Sequence, residues 1–128
     1  MPYFEEFQAQ QCFTTPSRTI DAQAIARFAE LTGDDNPVHL QPEQARRTIF
    51  RGCVAHGMLV ESTLSGCVWQ SRLFVDSIVA LMAVEVEFVA PVRPGDAVRM
   101  ELCVSELDPE PSRRAGWVRC RAAADRGS

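Results

Sequence analysis

Apolar and polar positions along the chain follow two different periods, and the change of period divides it in two. Over 21–32 the residues Ile25, Phe28, Ala29 and Thr32 recur at helical spacing, with Asp21 placed to cap the start and Gly33 to stop the end. The next residues, GDDNPVH, bring Gly, Asn and Pro together and read as loop. Positions 42–47 read as one short helical turn, and 57–68 as a second helix that is apolar around most of its circumference. Beyond it the period falls to two. Val84, Val86, Phe88 and Ala90 alternate with Glu85, Glu87 and Val89; Val98, Met100, Leu102 and Val104 alternate with Arg99, Glu101, Cys103 and Ser105. A turn over 91–96 separates these two strands, and a further strand carries Val118, Cys120 and Ala122 opposite Arg119 and Arg121. Positions 78–82 read as one more strand ahead of Val84. Helices gathered in the first half and strands at hairpin spacing in the second predict an α+β fold with an antiparallel sheet.

Composition narrows the function. A length of 128 residues gives one domain, and 46% apolar with 23% charged residues is enough for a real core and argues against disorder. Seventeen acids against thirteen bases leave a net charge of −4, which excludes the basic footprint of a general nucleic-acid binder. All thirteen bases are Arg, so lysine Schiff-base and P-loop chemistry are excluded as well. No apolar run reaches the length of a membrane-spanning helix, and the acidic start MPYFEEF is unlike a secretory signal; no membrane partner and a cytoplasmic location are expected. Cys12, Cys53, Cys67, Cys103 and Cys120 are scattered without a CxxC, which predicts free thiols rather than a disulfide framework or a zinc ribbon.

The candidate chemistry sits between the two periods. Asp34 and His39 flank Asn36-Pro37, and the proline stiffens the loop by fixing its own φ and restricting Asn36. A stiff loop presenting a carboxylate and an imidazole can hold one water and move its protons. The same residues also suit an ordinary Asx turn followed by a surface histidine. Gly57 stands at the predicted start of the apolar helix, where free amides and the helix dipole favour a developing negative charge; a tight helix entry would call for glycine too. Met58, Glu61, Ser62 and Ser65 share a face of that helix. Ser65 is either a ligand contact or a hydroxyl bonded to its own helix, and Glu61 either a catalytic or a solvated carboxylate. His56 is either a packed histidine or a partner of Cys53 or His39, with no complete metal-ligand set in view.

These segments resemble a known family. FAELTGDDNPVH, ending at His39, is similar to the hydratase-2 motif of MaoC-like dehydratases and (R)-specific enoyl-CoA hydratases. Ala55-His56-Gly57-Met58-Leu59 and Ser65-Gly66 resemble that family's HGM helix entry and downstream serine. YFEEF from Tyr3, SRTI from Ser17 and FVAPVRPGD from Phe88 resemble its N-terminal strand region and the turn between its long strands. The likeness covers nearly the whole chain. It implies a single hot-dog domain over 1–128, a curved antiparallel sheet wrapped around a central helix that begins near Gly57. It also implies reversible hydration of trans-2-enoyl thioesters to (R)-3-hydroxyacyl thioesters without metal or organic cofactor. By position, Asp34 and His39 would activate the water and the Gly57 amide would polarise the thioester carbonyl. Asn36, Ser65, His56 and Met58 would support the site or the substrate.

The implied partners are an acyl-CoA or acyl-carrier-protein thioester and a second subunit, a homodimer or a heterodimer. Arg46, Arg47, Arg51 and Arg93 are candidates to meet coenzyme A phosphates, or are ordinary solvated charges. Two departures stand out: Gln10 and Cys53 occupy positions where the family often has Gly and Arg, and the chain stops at Ser128, where family members usually continue with one more strand. Two other readings remain, a thioesterase that uses Glu61 and an inactive or partner-dependent acyl-thioester-binding subunit.

Overall fold

A computed structural model describes residues 10–73, 83–110 and 115–125, so the strand expected at 78–82 lies outside the described residues. The described residues fall into two units, one made of 18–63 and 85–98, the other of 10–17, 64–73, 83–84, 99–110 and 115–125.

In the first unit, helix α1 (Ala22–Thr32) starts and stops where the sequence predicts. The Asp21 carboxylate accepts the Ala24 N–H at 2.8 Å, satisfying a donor that the helix itself cannot. Gly33 ends the helix at φ 83°, a left-handed conformation that disfavours any Cβ, and its N–H donates to the Ala29 carbonyl. Ile25 and Ala29 are buried on one face. The segment read as loop is not all loop. Asn36 caps a short helix, α2 (Pro37–Leu40), by accepting the Val38 N–H at 3.1 Å, and Pro37 stands at its first turn, where a missing N–H costs nothing. A second proline repeats the device in α3 (Pro42–Arg46), as the sequence predicts. Helix α2 packs against both α1 and α3.

Strand β2 (Arg18–Ile20) pairs antiparallel with the first residues of β3 (Asp96–Glu110), Arg18 opposite Val98 and Ile20 opposite Asp96. The turn before β3 is tied by the Asp96 carboxylate, which accepts the Arg93 N–H at 2.9 Å, and by the Gly95 N–H donating to the Ile20 carbonyl. Gly95 is left-handed there, with φ 96°.

Helix α4 (Gly57–Gln70) begins in this unit and continues into the other, as β3 does. In the second unit β3 pairs antiparallel with β1 (Cys12–Thr14) and with β4 (Ala115–Asp125). The β3–β4 ladder runs from Arg99 opposite Asp125 to Glu110 opposite Ala115, with a register shift between Val104 and Glu106. The alternation read in the sequence holds over 98–102, where Val98, Met100 and Leu102 are buried while Arg99 and Glu101 are exposed; it breaks at Cys103, which is buried between Leu102 and Val104.

Two expectations are corrected. The register places Cys12 directly opposite Cys103, and the two are joined as a disulfide rather than left as free thiols; a pair 91 residues apart carries no spacing signal. Cys53 and Cys67 are free. Residues 83–90 form no strand, and the alternation there leaves Val84, Val86 and Phe88 exposed. A period of two states which side chains share a face, but a strand also needs a partner backbone, and the described residues provide none. Among the described residues no helix is long and apolar enough to cross a membrane.

Candidate active site

His39 sits in α2 and is held by its cap. Its N–H donates to the Asn36 carbonyl at 2.9 Å, so the capping turn fixes its backbone. Its ring Nδ1 lies 2.7 Å from the Val54 carbonyl. A carbonyl can only accept, so Nδ1 carries the proton and Nε2 presents a lone pair. The orientation and the tautomer of the imidazole are thus set by one backbone atom.

Asp34 is held by its own backbone, with its carboxylate left free. Its N–H donates to the Thr32 hydroxyl at 3.2 Å, and that hydroxyl donates to the Phe28 carbonyl at 2.7 Å. Its carbonyl accepts from Nε2 of His56 at 2.9 Å. The carboxylate is exposed and makes no protein hydrogen bond among the described residues. His56 is buried, stacks on His39 with ring centroids 3.8 Å apart, and meets the Phe28 ring at 4.9 Å. Its Nδ1 is buried with no partner among the described residues.

A carboxylate oxygen of Asp34 and one ring nitrogen each from His39 and His56 all lie within 4.8 Å of one another. Two hydrogen bonds of about 2.8 Å meeting at one water span roughly 4.5 Å, so a separation of at most 4.8 Å lies within the reach of one bridging water. The same three groups could hold a cation; Cys12, Glu101 and Cys103 also lie together in the other unit, but the disulfide engages both sulfurs and leaves no thiolate to ligate. His39 also lines an open groove of about 660 Å³, together with Ala22, Ala26, Leu40, Arg51 and Cys53.

The residue after His56 completes the arrangement. The His56 carbonyl accepts from the N–H groups of Leu59 and Val60, so His56 stands at the cap position before α4, while the Gly57 and Met58 N–H groups have no protein acceptor among the described residues. A Cβ on Gly57 would lie 3.0 Å from the Phe88 ring, so the glycine admits both the ring and a close approach to the amide. Met58 is exposed and Glu61 is half-buried without an ion pair among the described residues. Ser65, on the exposed surface of α4, belongs to the other unit, and its hydroxyl has no hydrogen bond among the described residues.

Asp34, His39, His56 and Gly57 are therefore brought together, and Asn36 supports them through the α2 cap. Thr32, the Val54 carbonyl and Phe88 escape a reading from sequence; Thr32 reads only as the last helical residue, and a backbone carbonyl leaves no trace in residue identity. Arg93 changes role. Its guanidinium donates to the carbonyls of Phe50 and, at 3.5 Å, Cys53, so it holds the chain over 50–53 instead of standing free for a phosphate.

A family model for the MaoC like domain matches residues 5–118. The chain is 38% identical over 103 residues to a 3-hydroxybutyryl-CoA dehydratase of Methylorubrum extorquens, covering 80% of this chain and 63% of that protein. It is 35% identical over 108 residues to an (R)-specific enoyl-CoA hydratase of Rhodospirillum rubrum, covering 84% of this chain and 73% of the relative. The solved (R)-hydratase from A. caviae, described as involved in PHA biosynthesis, superimposes with a TM-score of 0.71 at 30% identity, over 94% of this chain and 96% of that one. Some relatives are much longer: the chain spans 30% of Protein MaoC from Klebsiella aerogenes, with which it is 35% identical over 105 residues. By family match, identity and fold, the chain belongs to the MaoC-like dehydratases, proteins of the hot-dog fold.

Proposed function

We propose that this chain is a hydro-lyase that adds water to trans-2-enoyl thioesters, of coenzyme A or of an acyl-carrier protein, to give (R)-3-hydroxyacyl thioesters, and catalyses the reverse dehydration. The observation that carries the reading is the Asp34 carboxylate within 4.8 Å of the His39 imidazole, whose Nδ1 is held by the Val54 carbonyl. A water there donates to two acceptors, the carboxylate and Nε2 of His39, which leaves a lone pair free for carbon. As its oxygen bonds to C3, the C2–C3 π electrons move to the thioester oxygen, and a proton passes to the acid–base pair. Collapse of the enolate then takes a proton at C2. The Gly57 N–H, at the positive end of α4, is the donor for the enolate oxygen. The relatives named as hydratase and dehydratase support the same reaction.

Two further parts of the proposal concern assembly and place. The exposed side chains of Val84, Val86, Phe88 and Val89 support a homodimer that covers them. A cytoplasmic location accords with a thioester substrate. The test is hydration of crotonyl-CoA, followed as loss of enoyl absorbance alongside an assay for released thiol. The expected result is hydration without thiol release, with Asp34→Asn and His39→Gln each lowering kcat about 10²-fold or more in folded protein. Full rates in both variants, or thiol release that keeps pace with enoyl loss, would overturn the reading.

A further inference from the structure

On the sheet of the second unit, two cysteines and a glutamate meet by register rather than by sequence spacing. Cys12 on β1 stands directly opposite Cys103 on β3, and Glu101, two residues before Cys103, shares its face of the strand. The two sulfurs and the carboxylate lie within 4.8 Å of one another. One Glu101 carboxylate oxygen is 3.8 Å from the Cys103 Sγ, and the carboxylate has no cationic partner among the described residues.

The backbone holds this arrangement without help from the disulfide. On one side of the cysteine pair the Gln10 N–H donates to the Val104 carbonyl at 2.7 Å, and the Val104 N–H donates to the Gln11 carbonyl at 2.8 Å. On the other side the Thr15 N–H donates to the Met100 carbonyl at 2.9 Å, and the Met100 N–H donates to the Thr15 hydroxyl at 3.0 Å. Thr15 is buried, so this second pair of bonds is shielded from water. Splitting the S–S bond therefore leaves both sulfurs on adjacent, registered backbone, separated only by side-chain rotation. Cys12 is exposed and Cys103 is buried, so a reductant meets Cys12 first.

We infer that Cys12, Cys103 and Glu101 form a redox-gated site for a thiophilic divalent cation of the zinc class, closed while the disulfide stands and opened by a dithiol reductant. One thiolate of the reductant attacks the Cys12 sulfur, and Cys103 leaves. The second thiol of the reductant then displaces Cys12, so the reductant becomes the disulfide and the chain gains two electrons and two protons. Zn²⁺ replaces those two protons and is held by two thiolates and a carboxylate, with water in the fourth position. Sulfur donors select such a cation over magnesium or calcium, and the cation offsets the negative charge that the three groups bring together. None of the three residues belongs to the hydratase site, so the inference is independent of that reading. The group of Asp34, His39 and His56 offers no sulfur, which gives the two places different spectroscopic signatures.

The test titrates Co²⁺ and then Zn²⁺ into the full chain, either oxidised or reduced with dithiothreitol and desalted under argon. Thiol counts and circular dichroism are taken on both states. The expected result is a count that rises by two on reduction with the fold kept, and a thiolate-to-cobalt charge-transfer band that saturates at one Co²⁺ per chain and is displaced by Zn²⁺. The band should be absent from the oxidised protein and from the reduced Cys12→Ser/Cys103→Ser variant. Glu101→Gln, which leaves both sulfurs in place, should keep the band and weaken Co²⁺ binding about 10-fold. A thiol count unchanged by reduction, or loss of the fold on reduction, would overturn the gate. A reduced, folded protein without the band would overturn the site, as would a band that survives in the double serine variant. Affinity unchanged in Glu101→Gln would remove the carboxylate from the site and overturn the ligand set. Binding that is independent of reduction and gives no band would assign the metal to Asp34, His39 and His56 instead.

Discussion

Two histidines in contact do different work because each is tied to a different carbonyl. His39 gives its Nδ1 proton to Val54 and keeps Nε2 for chemistry, whereas His56 gives its Nε2 proton to Asp34 and buries Nδ1 without a partner. An orphaned buried acceptor costs about 1–3 kcal/mol, and a net hydrogen bond returns about 1 kcal/mol. The position therefore contributes little to stability beyond its packing, and its value lies in holding the Asp34 backbone. His56→Phe keeps a ring between Phe28 and His39 while removing both the orphan and the bond. Its melting temperature should stay within a few degrees of wild type, while kcat falls about 10-fold as the Asp34 carboxylate loses its fixed position. A folded His56→Phe protein with the wild-type rate would show that the bond positions nothing. At this scale the sequence is informative about side chains with one role, and Asp34, His39 and Asn36 are legible from the loop. It is silent where the partner is a carbonyl, which is why His56 reads equally as packed or reactive.

Elements were legible to the extent that their signals are local. The cap at Asp21 and the stop at Gly33 are single-residue chemistry, and both ends of α1 fall where they put them. Asp21→Ala removes the bond to the Ala24 N–H and should cost about 1 kcal/mol in chemical denaturation. A loss near zero would mean that water replaces the cap fully. Gly57 marks the start of α4 for the same local reason, and the alternation along β3 is met over 98–102 before the buried Cys103 breaks it. Non-local features were not legible. The Cys12–Cys103 pairing depends on the β1–β3 register, and the clasp of Arg93 on the 50–53 chain crosses some forty residues. Helix α2 was hidden differently: the Asn-Pro pair that reads as a loop breaker is also a helix start, and four residues are too few for a periodic signal.

At the scale of the whole molecule the question is what covers the apolar side chains of 83–90. Val84, Val86 and Phe88 are 51%, 39% and 55% exposed, and Val89 is 84% exposed, which places four large apolar side chains in six residues at a water boundary. An isolated exposed valine needs no explanation, but a run of this kind carries a standing cost unless another surface meets it. The alternation that predicts a strand here is then a statement about an interface: the side chains are patterned for a partner that the chain's described residues do not supply. A second copy answers this without a further gene product, and its contact would be self-complementary about a two-fold axis. Phe88 links the question to catalysis, since its ring lies against Gly57, whose amide the mechanism uses. Sedimentation should accordingly find two chains in the wild-type particle. Val86→Asp/Val89→Asp should shift it to one chain, because burying two new carboxylates at a contact costs several kcal/mol. Crotonyl-CoA hydration should fall with the dimer fraction as the variant is diluted, since a Phe88 ring released from its cover no longer holds the space over Gly57. A wild-type particle of one chain that hydrates at full rate would show that the strip is covered within the chain and that the site is complete without a partner.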